Sequence, residues 1–157
     1  MKYPGYDTGK VILAEGSWYP FRIHNHLQLQ DGLWYYVLED INGLKHFMPA
    51  DYYKNYRLKT GEEIVCRIDK INCTGRIFLE PRHPVYKEGQ TYNFDVVSFS
   101  KEDNLMLFFV KDIHGNSIEV QQYDNSASDF EAKKKVKCVV LSIKKGKPVL
   151  EISNISC

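Results

Sequence analysis

The second half of this chain restates the first, and that repeat limits the possible folds more than any other feature. Glu15-Gly16 recurs as Glu88-Gly89, Tyr19 as Tyr92 and Phe21 as Phe94, each 73 positions on. Tyr36 recurs as Phe108, Asp40-Ile41 as Asp112-Ile113 and Gly43 as Gly115, each 72 positions on. Cys66, Ile68 and Ile71 recur as Cys138, Val140 and Ile143 at the same offset of 72. Gly75 recurs as Gly146 and Leu79-Glu80 as Leu150-Glu151, 71 positions on. The order never breaks, and the offset slips by single residues, as insertions and deletions in loops would make it do. Self-similarity of this kind marks tandem copies of one structural unit.

Each copy reads as five strands. In the first, Tyr19, Phe21 and Ile23 alternate with Pro20, Arg22 and His24, the period of a half-buried strand. Asp31-Gly32 turns the chain into a second strand, Leu33–Glu39. Asn42-Gly43 supplies residues that tolerate positive φ for a hairpin into a third, Leu44–Met48. The polar, tyrosine-rich stretch 49–60 predicts a short helix or helical turn. Gly61–Pro81 then folds back on itself, with Ile64, Cys66 and Ile68 on one face of a fourth strand and Ile77 and Leu79 on one face of a fifth. Residues 1–14 predict a loose leader with an extra strand at Val11–Ala14 as an option. No long segment has helical apolar spacing. The expected fold is therefore all-β: two tandem five-stranded OB-fold-like Greek-key barrels, each with a short helix or turn between strands three and four. Pro81-Arg82-His83-Pro84 breaks regular structure, which places the domains at 1–84, leader included, and 85–157.

The hairpin around Gly75-Arg76-Ile77, following Gly43-Leu44-Lys45-His46 and the tyrosine-rich linker, carries a family resemblance over roughly residues 15–83. It resembles the RNA-binding OB-fold domain that is repeated in the largest small-subunit ribosomal protein and appended to several ribonucleases. Asn72 stands where that family has an aspartate. The resemblance implies a single-strand binding face with an aromatic on strand two (Trp34 or Tyr36), then His46, then Asn72 and Arg76, with Phe78 beside Arg76. In the second copy Phe108 and Lys147 keep the aromatic and the basic positions, but Ile118 replaces the histidine. The second copy is thus expected to be a degenerate binder or a scaffold.

Each assignment has a plainer reading. Strand aromatics are most often core, so Trp34 and Tyr36 stand between burial and base stacking. For His46, Ile118 in the second copy argues for an inward face, and the family pattern argues for an outward one. The lysines at 133–135, 137, 144, 145 and 147 could track a phosphate backbone or form a solvated edge. His24 and His26 fall on one strand face, but no third metal ligand accompanies them. Asp51-Tyr52-Tyr53 reads as a capped turn with packing tyrosines.

A net charge of +1 excludes strong, purely electrostatic nucleic-acid binding but leaves room for a local basic patch with stacking aromatics. The four cysteines lack zinc-knuckle spacing and suggest no disulfide framework. With no signal-peptide pattern and no apolar run long enough for a membrane span, a cytoplasmic setting is expected. No triad, phosphate-cradling glycine loop, cofactor motif or metal cluster stands out. The leading expectation is a non-enzymatic module that binds single-stranded RNA or DNA without a cofactor. The alternatives are a protein-interaction or scaffold module, or the N-terminal part of a larger protein.

Overall fold

A computed structural model describes residues 10–123 and 135–154. The chain divides into two compact units, Met1–Arg82 and His83–Cys157. The division falls between Arg82 and His83, two residues before the expected boundary at Pro84.

The first unit is a five-stranded antiparallel sheet: β1 (Trp18–Gln28), β2 (Trp34–Glu39), β3 (Lys45–Pro49), β4 (Glu63–Ile71) and β5 (Ile77–Pro81). Its strand order is β3-β2-β1-β4-β5. The fourth strand returns to lie beside the first, which is Greek-key connectivity. The second unit repeats it with β6 (Thr91–Glu102), β7 (Leu105–Lys111), β8 (Ser117–Tyr123), β9 (Lys135–Lys144) and β10 (Lys147–Asn154), in the order β10-β9-β6-β7-β8. There β8 and β10 run close together and nearly close a barrel, whereas β3 and β5 of the first unit meet only at their margins. The molecule is all-β, as its alternating apolar pattern requires.

The only helical turn among the described residues is a short 3-10 helix, Asp51–Tyr56, between β3 and β4. The expected turn in the second copy, and Lys133 and Lys134 with it, lie outside the described residues. Ala50 occupies the N-cap without a side-chain cap, so the capped turn expected at Asp51 does not form. What holds this turn is Tyr53, which is buried in the first core and donates its hydroxyl to Glu80 Oε1 at 3.2 Å.

The repeat extends to individual hydrogen bonds. Gly16 N donates to Ile68 O and Gly89 N to Val140 O, both at 2.7 Å. A β-bulge sits between Ile23 and Asn25 in β1 and between Val96 and Ser98 in β6. Tyr19 Oη accepts from Ala14 N at 3.0 Å, and Tyr92 Oη accepts from Lys87 N at 2.8 Å. The segment before the first sheet therefore forms neither a strand nor a loose leader from residue 10 on. It is clasped by Tyr19, and Asn42 bonds both the N–H and the C=O of Val11.

Each unit has its own core. Phe21, Ile23, Leu38, Met48, Cys66 and Ile68 fill the first; Phe94, Met106, Phe108, Val110, Cys138 and Val140 fill the second. Cys66 and Cys138 are buried free thiols, as their strand faces predicted. Burial pushes the Cys138 thiol up to about 12.

Candidate functional site

The open margin of the first sheet leaves a groove of about 690 Å3 between β3 and the β4–β5 turn. Asp31 in the β1–β2 turn, Tyr35 on β2, Lys45 and Phe47 on β3, and Arg76 in the β4–β5 turn line it. The strand register explains this set. Tyr35 pairs with Pro49, Val37 with Phe47 and Glu39 with Lys45, so these residues share one face. Tyr36, Leu38 and Met48 take the other face and enter the core, since successive strand residues point to opposite sides.

The aromatic floor consists of Tyr35 and Phe47, with ring centroids 6.1 Å apart in a T-shaped arrangement. Phe47, a large apolar residue on the face opposite the core, is 46% exposed. The Tyr35 hydroxyl donates to Asp31 Oδ2 at 2.8 Å. That bond first, and desolvation second, raise the Tyr35 pKa above its ordinary value, so the phenol keeps its proton. Asp31 Oδ1 also accepts from Leu33 N at 2.8 Å, which fixes the turn beside the groove.

On the opposite wall Asn72 acts as a shaping residue. Its Oδ1 accepts from Thr74 N, Thr74 Oγ1 and Arg76 N at 3.1, 2.7 and 2.9 Å. An asparagine bonding its own turn in this way sets the loop's shape, and here the loop delivers Arg76 to the groove. The Arg76 guanidinium lies 4.9 Å from the Phe78 ring centroid, and both side chains are exposed. A cation stacked on an outward ring offers one flat surface with donors at its edge.

The sequence expectations fare differently by position. Of the expected residues Arg76 lines the groove, Asn72 shapes the turn that carries it, and Phe78 lies under the Arg76 guanidinium. Tyr36 is 7% exposed and belongs to the core, so it is removed from the stacking set. Trp34 is exposed but projects on the Tyr36 side of β2, away from the groove. His46 borders the groove, yet its ring turns inward. It meets Phe21 edge-on at 6.2 Å, and its Nε2 lies 2.8 Å from Oδ2 of the buried Asp40. That is the inward face that Ile118 indicated.

In the second unit Phe108 is fully buried and packs 5.1 Å from Phe99, so no base can reach it. Lys147 is exposed and pairs in register with Lys144. His24 and His26 do not share a face, because the bulge after Ile23 reverses the alternation. His26 instead stacks on Tyr36 at 4.6 Å, while His24 faces Glu39 at 3.9 Å. Among the described residues no group of His, Cys, Asp and Glu is placed to hold a metal ion.

Tyr35, Phe47, Lys45 and Asp31 were missed in the sequence. For Phe47 the signal that could have found it is the comparison of copies. Tyr36 becomes Phe108, still apolar, as a core position must be. Phe47 becomes Glu119, which is tolerated only where the side chain meets water.

No family model matches the chain, and no curated protein matches it. A solved structure described as "Structural mimicry for functional antagonism" is similar over 88% of this chain and 90% of that chain, at 12% identity and a TM-score of 0.30. Likeness at that level carries no argument about fold or function.

Proposed function

We propose that the first unit is a non-enzymatic module that binds single-stranded nucleic acid, RNA by preference, along the groove between β3 and the β4–β5 turn. One observation carries this reading: two outward aromatic rings, Tyr35 and Phe47, lie in an open groove with Lys45 and Arg76. Bases stack on such rings whatever their sequence, and the cations meet the phosphates. The strand order and the turn between β3 and β4 support an OB-fold. That fold binds oligonucleotides on the face of its second and third strands, between the first and last hairpin loops. The preference for RNA rests on the family resemblance of residues 15–83.

The second unit we read as a scaffold. Glu119 puts a carboxylate where the first unit has Phe47, which repels phosphate and removes a stacking ring. A cytoplasmic setting accompanies the reading. Cys66, Cys73 and Cys138 are free thiols, and among the described residues no helix is long and apolar enough to cross a membrane.

Fluorescence anisotropy with labelled single-stranded RNA and DNA across a salt series tests the proposal. With Lys45 and Arg76 as the two phosphate contacts, log affinity should fall against log salt with a slope of about −1.4, at ~0.7 per contact. Arg76→Ala should flatten that slope by about half. Tyr35→Ala and Phe47→Ala should each cost about 1–3 kcal/mol of binding. Absence of binding at low salt, or wild-type affinity in all three variants, sinks the proposal.

A further inference from the structure

The last hairpin of the second unit carries a charge that the rest of the unit does not share. Residues 135–154, which span β9, β10 and their turn, hold five lysines and a single carboxylate, Glu151. Residues 91–123, which span β6 to β8, hold two lysines and five carboxylates. Three of the hairpin lysines gather at its tip. Lys144 and Lys147 are exposed and face each other directly across the two strands, and Lys145 sits in the turn between them with a φ of 51°. Like charges placed opposite one another destabilise a strand pair. A left-handed turn position favours Asn, Asp or Gly over lysine. Neither choice serves the fold.

The apolar residues beside this tip are no better explained by folding. Val140 pairs with Leu150 and Ser142 with Val149, which leaves Leu141 as the extra residue of a bulge in β9. The first unit has the same bulge in β4, where Ile68 pairs with Leu79 and Lys70 with Phe78, and Asp69 is the extra residue. Asp69 and Leu141 are counterparts, 72 positions apart. Both meet water: the Asp69 side chain is 44% exposed and Leu141 is 50% exposed. A position that holds a carboxylate in one copy, as water favours, holds a leucine in the other. Val149, which lies across from Ser142, is exposed as well. Lysines that only blocked edge pairing would call for no outward leucine.

We propose that the outer face of the β9–β10 hairpin seats the second unit on the anionic surface of a lipid bilayer, with Lys144 and Lys147 among the headgroups and Leu141 and Val149 at the acyl boundary. Charge complementarity sets the sign of the partner. Lysines near an anionic leaflet and apolar side chains buried at its boundary add their attractions. A nucleic-acid backbone would meet the lysines but would leave Leu141 and Val149 in water. Single strands are held by stacking rings, and such a ring, Phe78, stands in the first unit where Val149 stands in the second. The acidic strands β6 to β8 are repelled by the same leaflet, so the hairpin makes the contact. The inference does not rest on the groove reading, since it uses no residue of the first unit.

The test is co-sedimentation of the full chain with vesicles of phosphatidylcholine alone and of phosphatidylcholine mixed with phosphatidylserine. The chain should partition onto the mixed vesicles only, and added salt should weaken the partition. Lys144→Ala and Lys147→Ala should each lower it about fivefold. Leu141→Asp, which installs the first unit's residue at the same bulge, should lower it about tenfold. Arg76→Ala should leave it unchanged, and the two lysine variants should keep wild-type oligonucleotide affinity. Circular dichroism confirms that each variant is folded, and should Leu141→Asp fail to fold, the two exposed lysines still decide. The proposal is overturned by absence of binding to the mixed vesicles, by equal binding to phosphatidylcholine alone, or by partition that survives loss of both lysines. Partition that a folded Leu141→Asp leaves untouched also overturns it, since that is adsorption by charge alone. Loss of oligonucleotide binding in the lysine variants with vesicle binding intact reassigns the hairpin to nucleic acid.

Discussion

The two units hold the same buried carboxylate by different means, and exchanging those means gives a sharp test of the structure. Asp40 Oδ1 accepts from Asn42 N at 2.8 Å and Leu44 N at 3.0 Å, while its Oδ2 is met by His46 Nε2 at 2.8 Å. Asp112 Oδ1 accepts from His114 N at 2.9 Å and Asn116 N at 2.8 Å, and its Oδ2 accepts from Asn116 Nδ2 at 2.9 Å. Asn116 is the counterpart of Leu44, and Ile118 of His46, each 72 positions on. The donor has moved from a strand to a turn.

His46→Ile should therefore strip Asp40 Oδ2 of its donor. An unmet buried acceptor costs about 1–3 kcal/mol, and more when charged. Apolar contact with Phe21 recovers part of that, which leaves a net loss of about 1–2 kcal/mol. Leu44 is 61% exposed, so Leu44→Asn alone should change little. The double variant should regain most of the loss, a favourable coupling of about 1–2 kcal/mol between neighbouring positions. Urea unfolding followed by tryptophan emission reads this cleanly, because Trp18 and Trp34 both lie in the first unit. Burial alone would raise the Asp40 pKa, but the bonds from His46, Leu44 and Asn42 outweigh it and hold the pKa below 3.8. The clasp's contribution is thus complete above that value and is lost as pH falls through the lower, folded one. Wild-type stability in His46→Ile, or a folded double variant no more stable than His46→Ile, refutes the reasoning.

Phe108→Ala should cost about 3–5 kcal/mol of second-unit stability, measured by urea unfolding followed by circular dichroism, and should leave oligonucleotide affinity unchanged. Tyr53→Phe removes the hydrogen bond to buried Glu80 and should lower first-unit stability by about 1.5–3 kcal/mol, read from tryptophan emission in urea. His83 is buried, and its Nδ1 accepts from Val85 N and Tyr86 N, both at 3.0 Å. Burial first, and His114 second, lower its pKa from 6.5 to about 4. Its neutral form is the folded one, so second-unit stability should be full above about 6.5 and decline as pH falls toward 4. His83→Asn, which can still accept from those amides, should flatten that decline in pH-dependent urea midpoints.

The frame of this protein was legible because the repeat tests itself. A residue such as Cys66 or Ile68, apolar again 72 positions on, must be core in both copies. The second and third strands lie within a residue of their expected places, and the 3-10 helix falls inside the expected stretch 49–60. The site was harder to read. Alternation says that Tyr35 and Tyr36 part company, but not which of them faces water. That depends on the register of β2 against β3, which the Asn42-Gly43 turn sets by pairing Glu39 with Lys45. The bulge after Ile23 was invisible for a related reason. One extra residue reverses a strand's faces without altering its composition, so His24 and His26 looked like neighbours and are not.

The tyrosine clasp also bears on how the chain can be divided. Prolines mark where regular structure stops, and a cut after Pro84 would seem natural on that ground. Such a cut would strip the second unit of His83, which holds Val85 and Tyr86, and so loosen the residues that Tyr92 must grip. Fragments meant to stand alone should break before His83, since each sheet owns the residues that its own side chains hold, including those that precede its first strand.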